Sequence, residues 1–436
     1  MNNSFRLTFT LLTFLVVTLA SPESLLPGRP FITIWNAPIS RCWDKYGVAL
    51  DFNAFDIVVN ENHSFVGSDI VIFYSSQLGL YPYYDENGNS INGGTPQNAS
   101  LSEHLKQAFQ DLNATIVSPD FKGVVVVDWE NWRPLWDRNW DKKSIYRDRS
   151  EDLVRQRHPD WSDKEVMTTA KKEFEEAARM FMEGTLNLGH KYRAGGLWGF
   201  YGFPSCYNYG YKNSTQNYTG ECAQVDMERN NQLQWMWRSS RALYPDIYLE
   251  LLLKKSQYVR QYVRHRIGEA FRVSTKGPEG EIPVLPYARI VYTYSMDFLE
   301  QEDLIETIGQ SAALGAAGVV LWGNADYSSS KGACLAVKSY IDNTLGMYVV
   351  NVTSSALLCS QAICTGNGRC VRRDLSSEAQ LHLNPSSFSI SKNLKGGGFL
   401  LSGQATKMDI LYMAAHFQCR CYPGWKGTDC SQKMVQ

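Results

Sequence analysis

The sequence predicts an α/β fold in which parallel strands alternate with helices to form a barrel. Strand-like and helix-like segments alternate over about 300 residues, which favours a barrel over a β-sandwich. Four consecutive valines at residues 124–127 are too apolar for a strand with one wet face, so this strand is predicted to be buried on both sides. Polar or aromatic residues follow several strands and would converge on one barrel mouth.

The predicted strands are short apolar runs bounded by turn residues. They cover residues 31–36, 69–74, 123–128, 197–202, 247–251, 284–292 and 318–322. The predicted helices show apolar residues at helical spacing. They cover residues 100–114, a long segment that begins after Ser162, and residues 227–242, 256–273, 302–316 and 332–343. Ser162 and Glu165 have the spacing of a capping box at the start of the long helix.

The N-terminal 20 residues have the pattern of a secretory signal peptide. Arg6 precedes an apolar stretch at residues 7–19, and Thr18-Leu19-Ala20 resembles a cleavage site. No second apolar run of that length follows, and the last residues do not form a lipid-anchor tail. We therefore expect an exported protein without a membrane anchor, with a barrel domain over residues 21–350 and a smaller domain over residues 351–436.

The formal net charge of −1 predicts no general attraction to nucleic acid or to a membrane surface. Ten cysteines fit an oxidising compartment, and their even number allows all of them to pair. Sequons for N-glycosylation follow the signal at Asn62, Asn98, Asn113, Asn213, Asn217 and Asn351.

The C-terminal cysteines resemble a module of the epidermal growth factor (EGF) type. Residues 419–430 match its C-x-C-x-x-G-aromatic-x-G-x-x-C ending. The resemblance implies the disulfides Cys359–Cys370, Cys364–Cys419 and Cys421–Cys430. The interval at residues 371–418 is longer than such a module allows, so it must hold an insertion, with a Ser- and Gly-rich stretch and a short helix near residues 408–416. The spacing and the export signal argue against a zinc site.

Four cysteines remain for the large domain. A Cys206–Cys222 disulfide would close a loop beside Tyr201, and a Cys42–Cys334 disulfide would tie the exit of the first strand to the last helix. In the chain-entropy model, closing so long a loop contributes at most about 5–6 kcal/mol.

Two carboxylates, Asp128 and Glu130, stand at the end of the valine strand. If the strand geometry holds, both side chains lie on one face, roughly 6–7 Å apart at the backbone, and Trp129 points away. The pair is either catalytic or structural, for example capping a helix or meeting an arginine. Aromatic residues at the other strand ends, namely Tyr74, Tyr201, Tyr248 and Trp322, favour a site at the barrel mouth.

Five motifs together resemble the animal hyaluronidases. They are V-D-W-E-N-W-R-P at residues 127–134, L-W-G-F-Y-G-F-P at 197–204, A-G-V-V-L-W-G at 317–323, F-Y-S-S-Q-L-G at 73–79 and C-V-R-R at 370–373. The resemblance extends from Pro30 to Cys430. Without a hydrophobic C-terminal tail, the chain is similar to the secreted or lysosomal members of that family.

This resemblance implies a distorted TIM-like barrel that cleaves the β-1,4 bond after N-acetylglucosamine in hyaluronan, with retention. It implies no metal or other cofactor and a monomer. The nucleophile would be the acetamido oxygen of the substrate, with Glu130 as general acid and then base, and Asp128 orienting the acetamido group. Two acids so close should have pKa values pushed apart, with Glu130 kept protonated.

The resemblance also assigns roles to five other residues. Tyr201 and Tyr248 would line the site, Tyr74 would hydrogen-bond the substrate, and Trp322 would form an aromatic wall. Arg266 would meet the glucuronate carboxylate. The alternative for Arg266 is a solvated charge on a helix, which is our expectation for Arg260 and Arg264.

Two positions depart from the family pattern. Ser205 stands where several relatives have aspartate, and Asp246 stands where a small hydroxyl is expected. These changes bear on the pH optimum and on subsite affinity. Two other functions stay open: a preference for chondroitin, which Tyr248 disfavours, and a hyaluronan-binding or adhesion protein with little turnover, which the intact acid pair disfavours.

Overall fold

The computed structural model describes residues 28–58, 65, 67–213, 217–277 and 281–434. The predicted signal peptide and the sequon at Asn62 lie outside the described residues. No helix in these ranges is both long enough and apolar enough to cross a membrane.

The strands are β1 (Ile32–Asn36), β2 (Ile57–Val58), β3 (Ile70–Tyr74), β4 (Tyr83–Tyr84), β5 (Ser90–Ile91), β6 (Val124–Asp128), β7 (Leu197–Phe200), β8 (Tyr287–Ala288), β9 (Gly318–Trp322), β10 (Gly368–Arg372), β11 (Phe388–Lys392), β12 (Phe399–Gly403), β13 (Phe417–Cys421), β14 (Trp425–Lys426) and β15 (Gln432–Lys433).

The α-helices are α1 (Ser40–Asp44), α2 (Leu101–Thr115), α3 (Ser144–Arg157), α4 (Asp163–Tyr192), α5 (Gln224–Gln232), α6 (Gln234–Ser239), α7 (Tyr258–Ser274), α8 (Gln301–Leu304), α9 (Gln310–Ala313), α10 (Lys331–Tyr340), α11 (Gly346–Ile363) and α12 (Lys407–His416). Single π-helical turns, Ile305–Gly309 and Ile341–Leu345, join α8 to α9 and α10 to α11.

The large sheet region is parallel, as predicted. One sheet has the order β2-β1-β9-β8 and the other the order β3-β6-β7. Isolated parallel bridges continue from β7 to β8, joining Tyr201 to Tyr244, Leu243 to Val284 and Asp246 to Tyr287. The strands therefore form one run from β3 round to β2.

Two predicted strands are reduced to short pieces. In place of strands at residues 247–251 and 284–292, the structure has β8 and isolated bridges. Pro286 lies within the second segment, and Pro245 and Pro283 lie just before the two segments; proline has no N–H to donate to a sheet ladder.

Strand β6 is buried on both faces, which confirms the prediction from its valines. Val125 and Val127 pack into a cluster with side chains of α2 and α4, and Val124 and Val126 into an inner cluster with neighbouring strands. All four are 0% exposed. The side chain that follows them, Asp128, is held at the end of a fully buried strand.

The start of the long helix is as predicted, but one other predicted helix is divided. Ser162 and Glu165 form the predicted capping box at the start of α4. The single helix predicted over residues 227–242 is two helices, α5 and α6, which break at Leu233. There the indole N–H of Trp237 donates to the carbonyl of Asn230 at 2.9 Å.

The C-terminal part is joined to the rest without a linker. Helix α11 runs through the predicted boundary between residues 350 and 351, because apolar side chains continue along it into the same core cluster. The inserted segment contains a hairpin of β11 and β12 and then α12. The structure contains the five expected disulfides, Cys42–Cys334, Cys206–Cys222, Cys359–Cys370, Cys364–Cys419 and Cys421–Cys430.

Candidate active site

The parallel register brings the predicted strand-end residues to one edge of the sheet. Tyr74 at the end of β3 is the register partner of Asp128 at the end of β6. The backbone N–H of Tyr201 donates to the carbonyl of Val127 at 3.1 Å, so Tyr201 stands beside Asp128 on the other side. Parallel strands end at the same edge, and Trp322, the last residue of β9, completes the set.

The aromatic residues form a continuous wall along this edge. The indole N–H of Trp322 donates to the Tyr74 hydroxyl at 3.3 Å. The rings of Trp322 and Tyr248 are stacked, with centroids 6.3 Å apart, and the Tyr201 ring follows 6.3 Å beyond Tyr248. All four side chains pack on the inner core cluster, so their positions are defined by the core.

The phenols on this wall are held in their protonated form. Burial raises the pKa of Tyr74 to about 12, and burial also raises the pKa of both Tyr201 and Tyr248 well above the usual value. Each hydroxyl can therefore donate a hydrogen bond at any physiological pH.

Asp128 is largely buried, and one of its oxygens, Oδ1, has no hydrogen-bond partner among the described residues. Burial, followed by repulsion from Glu130, raises the pKa of Asp128 to about 7. The expectation from the sequence placed the proton of the pair on Glu130, whereas the structure favours a proton on Asp128. Packing decides which of the two acids loses contact with water, and this is Asp128, which belongs to strand β6.

Glu130 lies in the loop after β6, and its side chain is 53% exposed. Trp129 points the other way, as predicted, and is buried with its ring 4.6 Å from that of Tyr81. The two acids therefore differ in kind. Asp128 is half-buried beside the tyrosines, and Glu130 is accessible to an incoming ligand.

Two basic residues beside Glu130 were not predicted from the sequence. The Nη2 of Arg133 donates to Glu130 Oε2 at 3.3 Å. Lys143 donates to the backbone carbonyl of Glu130 and, at 3.3 Å, to that of Asn131. Burial lowers the pKa of Lys143 to about 8. The three-residue spacing of Glu130 and Arg133 was a usable signal, whereas no local pattern marks Lys143.

The structure excludes one of the two interpretations of Arg266. It is 4% exposed, so it is not a solvated helix charge. Its Nη1 donates to the carboxylate of Asp246 at 2.8 Å and to the Asp246 carbonyl at 2.9 Å, and its Nε donates to Asn208 at 2.9 Å. The carboxylate that Arg266 contacts in this structure is therefore that of Asp246.

Two other basic residues of α7 make their polar contacts with residues outside the acid pair and the aromatic wall. Arg260 pairs with Glu306 at 2.7 Å, and Arg264 donates to the carbonyl of Leu375 at 3.4 Å. Ser205, the other departure from the family pattern, accepts a hydrogen bond from Arg138 at 3.0 Å. Arg138 in turn forms a buried ion pair with Asp226 at 2.7 Å.

The described sequons differ in accessibility. Asn98, Asn113, Asn213 and Asn217 are exposed. Asn351 is half-buried on α11, where its Oδ1 accepts a hydrogen bond from the backbone N–H of Leu383 at 2.8 Å.

The chain is similar to known proteins over nearly its whole length. It is 50% identical over 411 residues to hyaluronidase-1 of Homo sapiens, covering 94% of each chain. It is 44% identical to the hyaluronidase of Crotalus adamanteus, covering 94% of this chain and 92% of that protein. A crystal structure of bee venom hyaluronidase in complex with a hyaluronic acid tetramer superposes with a TM-score of 0.66 at 33% identity, covering 74% of this chain and 99% of that one.

The family model described as hyaluronidase, a family of glycoside hydrolases, matches residues 20–434. That range includes the acid pair, the aromatic wall and the C-terminal disulfides. The chain therefore belongs to the hyaluronidase family.

Proposed function

We propose that this protein is an endo-acting hydrolase of hyaluronan that cleaves the β-1,4 bond between N-acetylglucosamine and glucuronate with retention. The observation that carries the proposal is the contrast, at the end of one strand, between a half-buried Asp128 with a raised pKa and an exposed Glu130. The relative whose structure was solved with a hyaluronic acid tetramer supports the choice of substrate.

In the first step the one proton that the pair shares would pass through Glu130 to the glycosidic oxygen, which leaves Asp128 ionised, while the acetamido oxygen of the substrate attacks the anomeric carbon. The bond to the leaving sugar breaks, and a cyclic oxazolinium-type intermediate forms. Water, deprotonated by Glu130, then opens the ring and restores both the acetamido group and the acid. The substrate supplies the nucleophile, so the spacing of the two carboxylates does not predict the stereochemistry.

The remaining residues of the site would hold this geometry. Asp128 would hydrogen-bond the acetamido N–H and stabilise the positive charge that develops on it. Tyr201, with its raised pKa, would donate to the acetamido oxygen and keep it in line for attack. Trp322 would pack against the acetamido methyl group, and Tyr74 and Tyr248 would contact the sugar.

We further propose that the parallel strands close into a distorted TIM-like barrel around the inner core cluster, whose side chains come from β1, β3, β6 and β9. The three C-terminal disulfides support an EGF-like module. The five disulfides support an exported protein, secreted or lysosomal, and we propose that it is a monomer. Export also supports glycans on the exposed sequons.

The test measures the size of hyaluronan and chondroitin after incubation with wild type and Glu130→Gln, from about pH 3.5 to 7.5. Loss of a general acid typically costs about 10²–10⁴-fold in rate, so we expect hyaluronan fragments from wild type and nearly intact polymer from the variant. Glu173→Gln is the matched control, because Glu173 lies on α4 and pairs with Arg157.

The other outcomes identify the alternatives. Cleavage of chondroitin in preference to hyaluronan would indicate a chondroitin hydrolase of the same family. Intact polymer with wild type, together with tight retention on a hyaluronan column, would indicate a binding or adhesion protein. Equal cleavage by wild type and Glu130→Gln would place the acid elsewhere.

A further inference from the structure

Helix α7 contacts one short segment of the site through three hydrogen bonds. Arg266 donates twice to Asp246, at 2.8 Å to its carboxylate and at 2.9 Å to its carbonyl. The hydroxyl of Tyr262, one turn earlier on the same helix, donates to the carbonyl of Tyr248 at 3.2 Å. All three bonds end on residues 246–248, and the last of these carries a ring of the aromatic wall.

The Arg266 guanidinium is itself held on several sides. Its Nε donates to Asn208 at 2.9 Å, and its plane lies near the rings of Tyr209 and Tyr262, at 4.9 and 4.5 Å from the ring centroids. It is 4% exposed, whereas the side chain of Asp246 is 25% exposed. The guanidinium therefore faces the protein, and its position is defined by rigid partners.

The sheet holds the segment that carries Tyr248 through isolated bridges and hydrogen bonds and not through a regular strand, so contacts from α7 add to its support. Residues 246–248 belong to no regular strand. Their sheet contacts are an isolated bridge from Asp246 to Tyr287 and a hydrogen bond from the Ile247 N–H to the Tyr287 carbonyl at 2.8 Å. The side chains of α7 thus supply much of the restraint on where the Tyr248 ring lies against Trp322.

We propose that Arg266 and Asp246 are positioning residues that act through Tyr248, and that Arg266 does not bind the substrate carboxylate. The inference rests on the proposed function, since Tyr248 is placed there as a wall of the sugar site. It also gives the unusual aspartate at position 246 a role: its carboxylate and its backbone carbonyl both accept hydrogen bonds from Arg266, which fixes this backbone segment to α7.

The test compares two polymers, hyaluronan and carboxyl-reduced hyaluronan, in which glucuronate is replaced by neutral glucose. Variants Asp246→Asn, Arg266→Lys and Tyr262→Phe are measured for kcat and KM. A misplaced ring should lower kcat about tenfold on both polymers and change KM less than about twofold. Tyr262→Phe removes only a hydroxyl, so it keeps the test valid if a change to the buried ion pair prevents folding.

A second measurement separates positioning from a general structural role. In a Tyr248→Ala background, which removes the ring, the same three substitutions should have less than about a twofold further effect, because they act through that ring. Arg264→Lys is the matched control. It makes the same chemical change on the same helix, and Arg264 contacts Leu375, so we expect wild-type kinetics.

Direct binding of the carboxylate by Arg266 predicts the opposite pattern. Asp246→Asn would then free the guanidinium and lower KM on hyaluronan, with no effect on the reduced polymer, and this result would overturn the inference. If wild type cleaves neither polymer, the proposed function is wrong. The near-ultraviolet circular dichroism of the stacked Tyr248–Trp322 pair then decides, since unchanged spectra for Asp246→Asn and Tyr262→Phe would refute positioning.

Discussion

Arg133 reaches back along the loop after β6 and places its Nη2 3.3 Å from Oε2 of Glu130. The same guanidinium favours the charged form of Asp128 and so opposes the two effects that raise the pKa of that residue, burial and the charge of Glu130. One cation is thus shared by both acids of the proposed catalytic pair. The charge state of the pair therefore depends on Arg133, which lies in a loop and belongs to neither a strand nor the aromatic wall.

The first prediction concerns the alkaline limb of the pH profile. The pKa of Asp128 is raised to about 7, so the pair loses its proton as the pH rises through that value. We expect kcat/KM on hyaluronan to fall above about pH 7 with a slope near one, and the apparent pKa belongs to the pair. A profile that stays flat to about pH 8.5 would contradict this assignment.

Arg133→Met should move that limb to higher pH. Removing the cation eliminates an attraction that lowers the pKa of Asp128, so the carboxyl keeps its proton longer. The measurement is the pH dependence of kcat/KM for wild type and variant. Arg149→Met is the control, because Arg149 forms an exposed pair with Asp152 on α3 and should leave the limb in place. A shift of the alkaline limb to lower pH would show that Arg133 does not lower the pKa of Asp128.

Asp128→Asn should stabilise the fold at neutral pH. The unfolded carboxyl titrates near 3.8 and the folded one near 7, so folding takes up a proton between these values and stability falls as the pH rises. The loss of wild-type folding stability caused by ionised Asp128 is absent below about pH 4 and complete above about pH 7, and its upper bound is about 4 kcal/mol.

Thermal unfolding of wild type and Asp128→Asn from about pH 4 to 8 checks this expectation. The difference in Tm should grow with pH across that range. Asp137→Asn, an exposed position in the following loop, controls for the substitution itself. A Tm difference that is constant with pH would mean that Asp128 is not held in an unfavourable charged state.

Both the ring and the indole N–H of Trp322 should contribute to kcat/KM on hyaluronan. Trp322→Phe keeps a stacked ring but loses the hydrogen bond to Tyr74, which is typically worth about 1 kcal/mol, and we expect kcat/KM to fall about fivefold. Trp322→Ala removes the wall as well and should cost about 100-fold. Trp43→Ala, at a side chain that is 65% exposed, should have no effect. Equal losses for Phe and Ala would refute a role for the ring.

The Cys42–Cys334 disulfide should be worth more than Cys421–Cys430. The first closes a loop of 292 residues in sequence separation and the second a loop of 9. The chain-entropy model gives upper values of about 6 and about 3 kcal/mol for the free energy of unfolding. Urea unfolding of the two double alanine variants compares them directly, and a larger loss for the shorter loop would contradict the entropic account.

Local patterns in the chain were sufficient for much of the fold. The valines of β6, the capping box of α4 and the alternation around Trp129 each depend on neighbours a few residues away, and the structure has them as predicted. The failures also have local causes. Pro286 lies within one of the two predicted strands that are reduced to short pieces, and Pro245 and Pro283 lie just before them, where each removes a backbone N–H from the ladder.

The strand-end residues could be inferred from residue type and position in the chain, and the family and the C-terminal disulfide pairs from the resemblance of several motifs to known families. Packing decided which acid is buried, so the raised pKa lies at Asp128 inside the strand. Packing also brought Lys143 to the carbonyl of Glu130 and Asp246 to Arg266. Burial and ion pairs depend on elements 13 to 20 residues apart or more, and no local pattern records which of them meet in the folded chain.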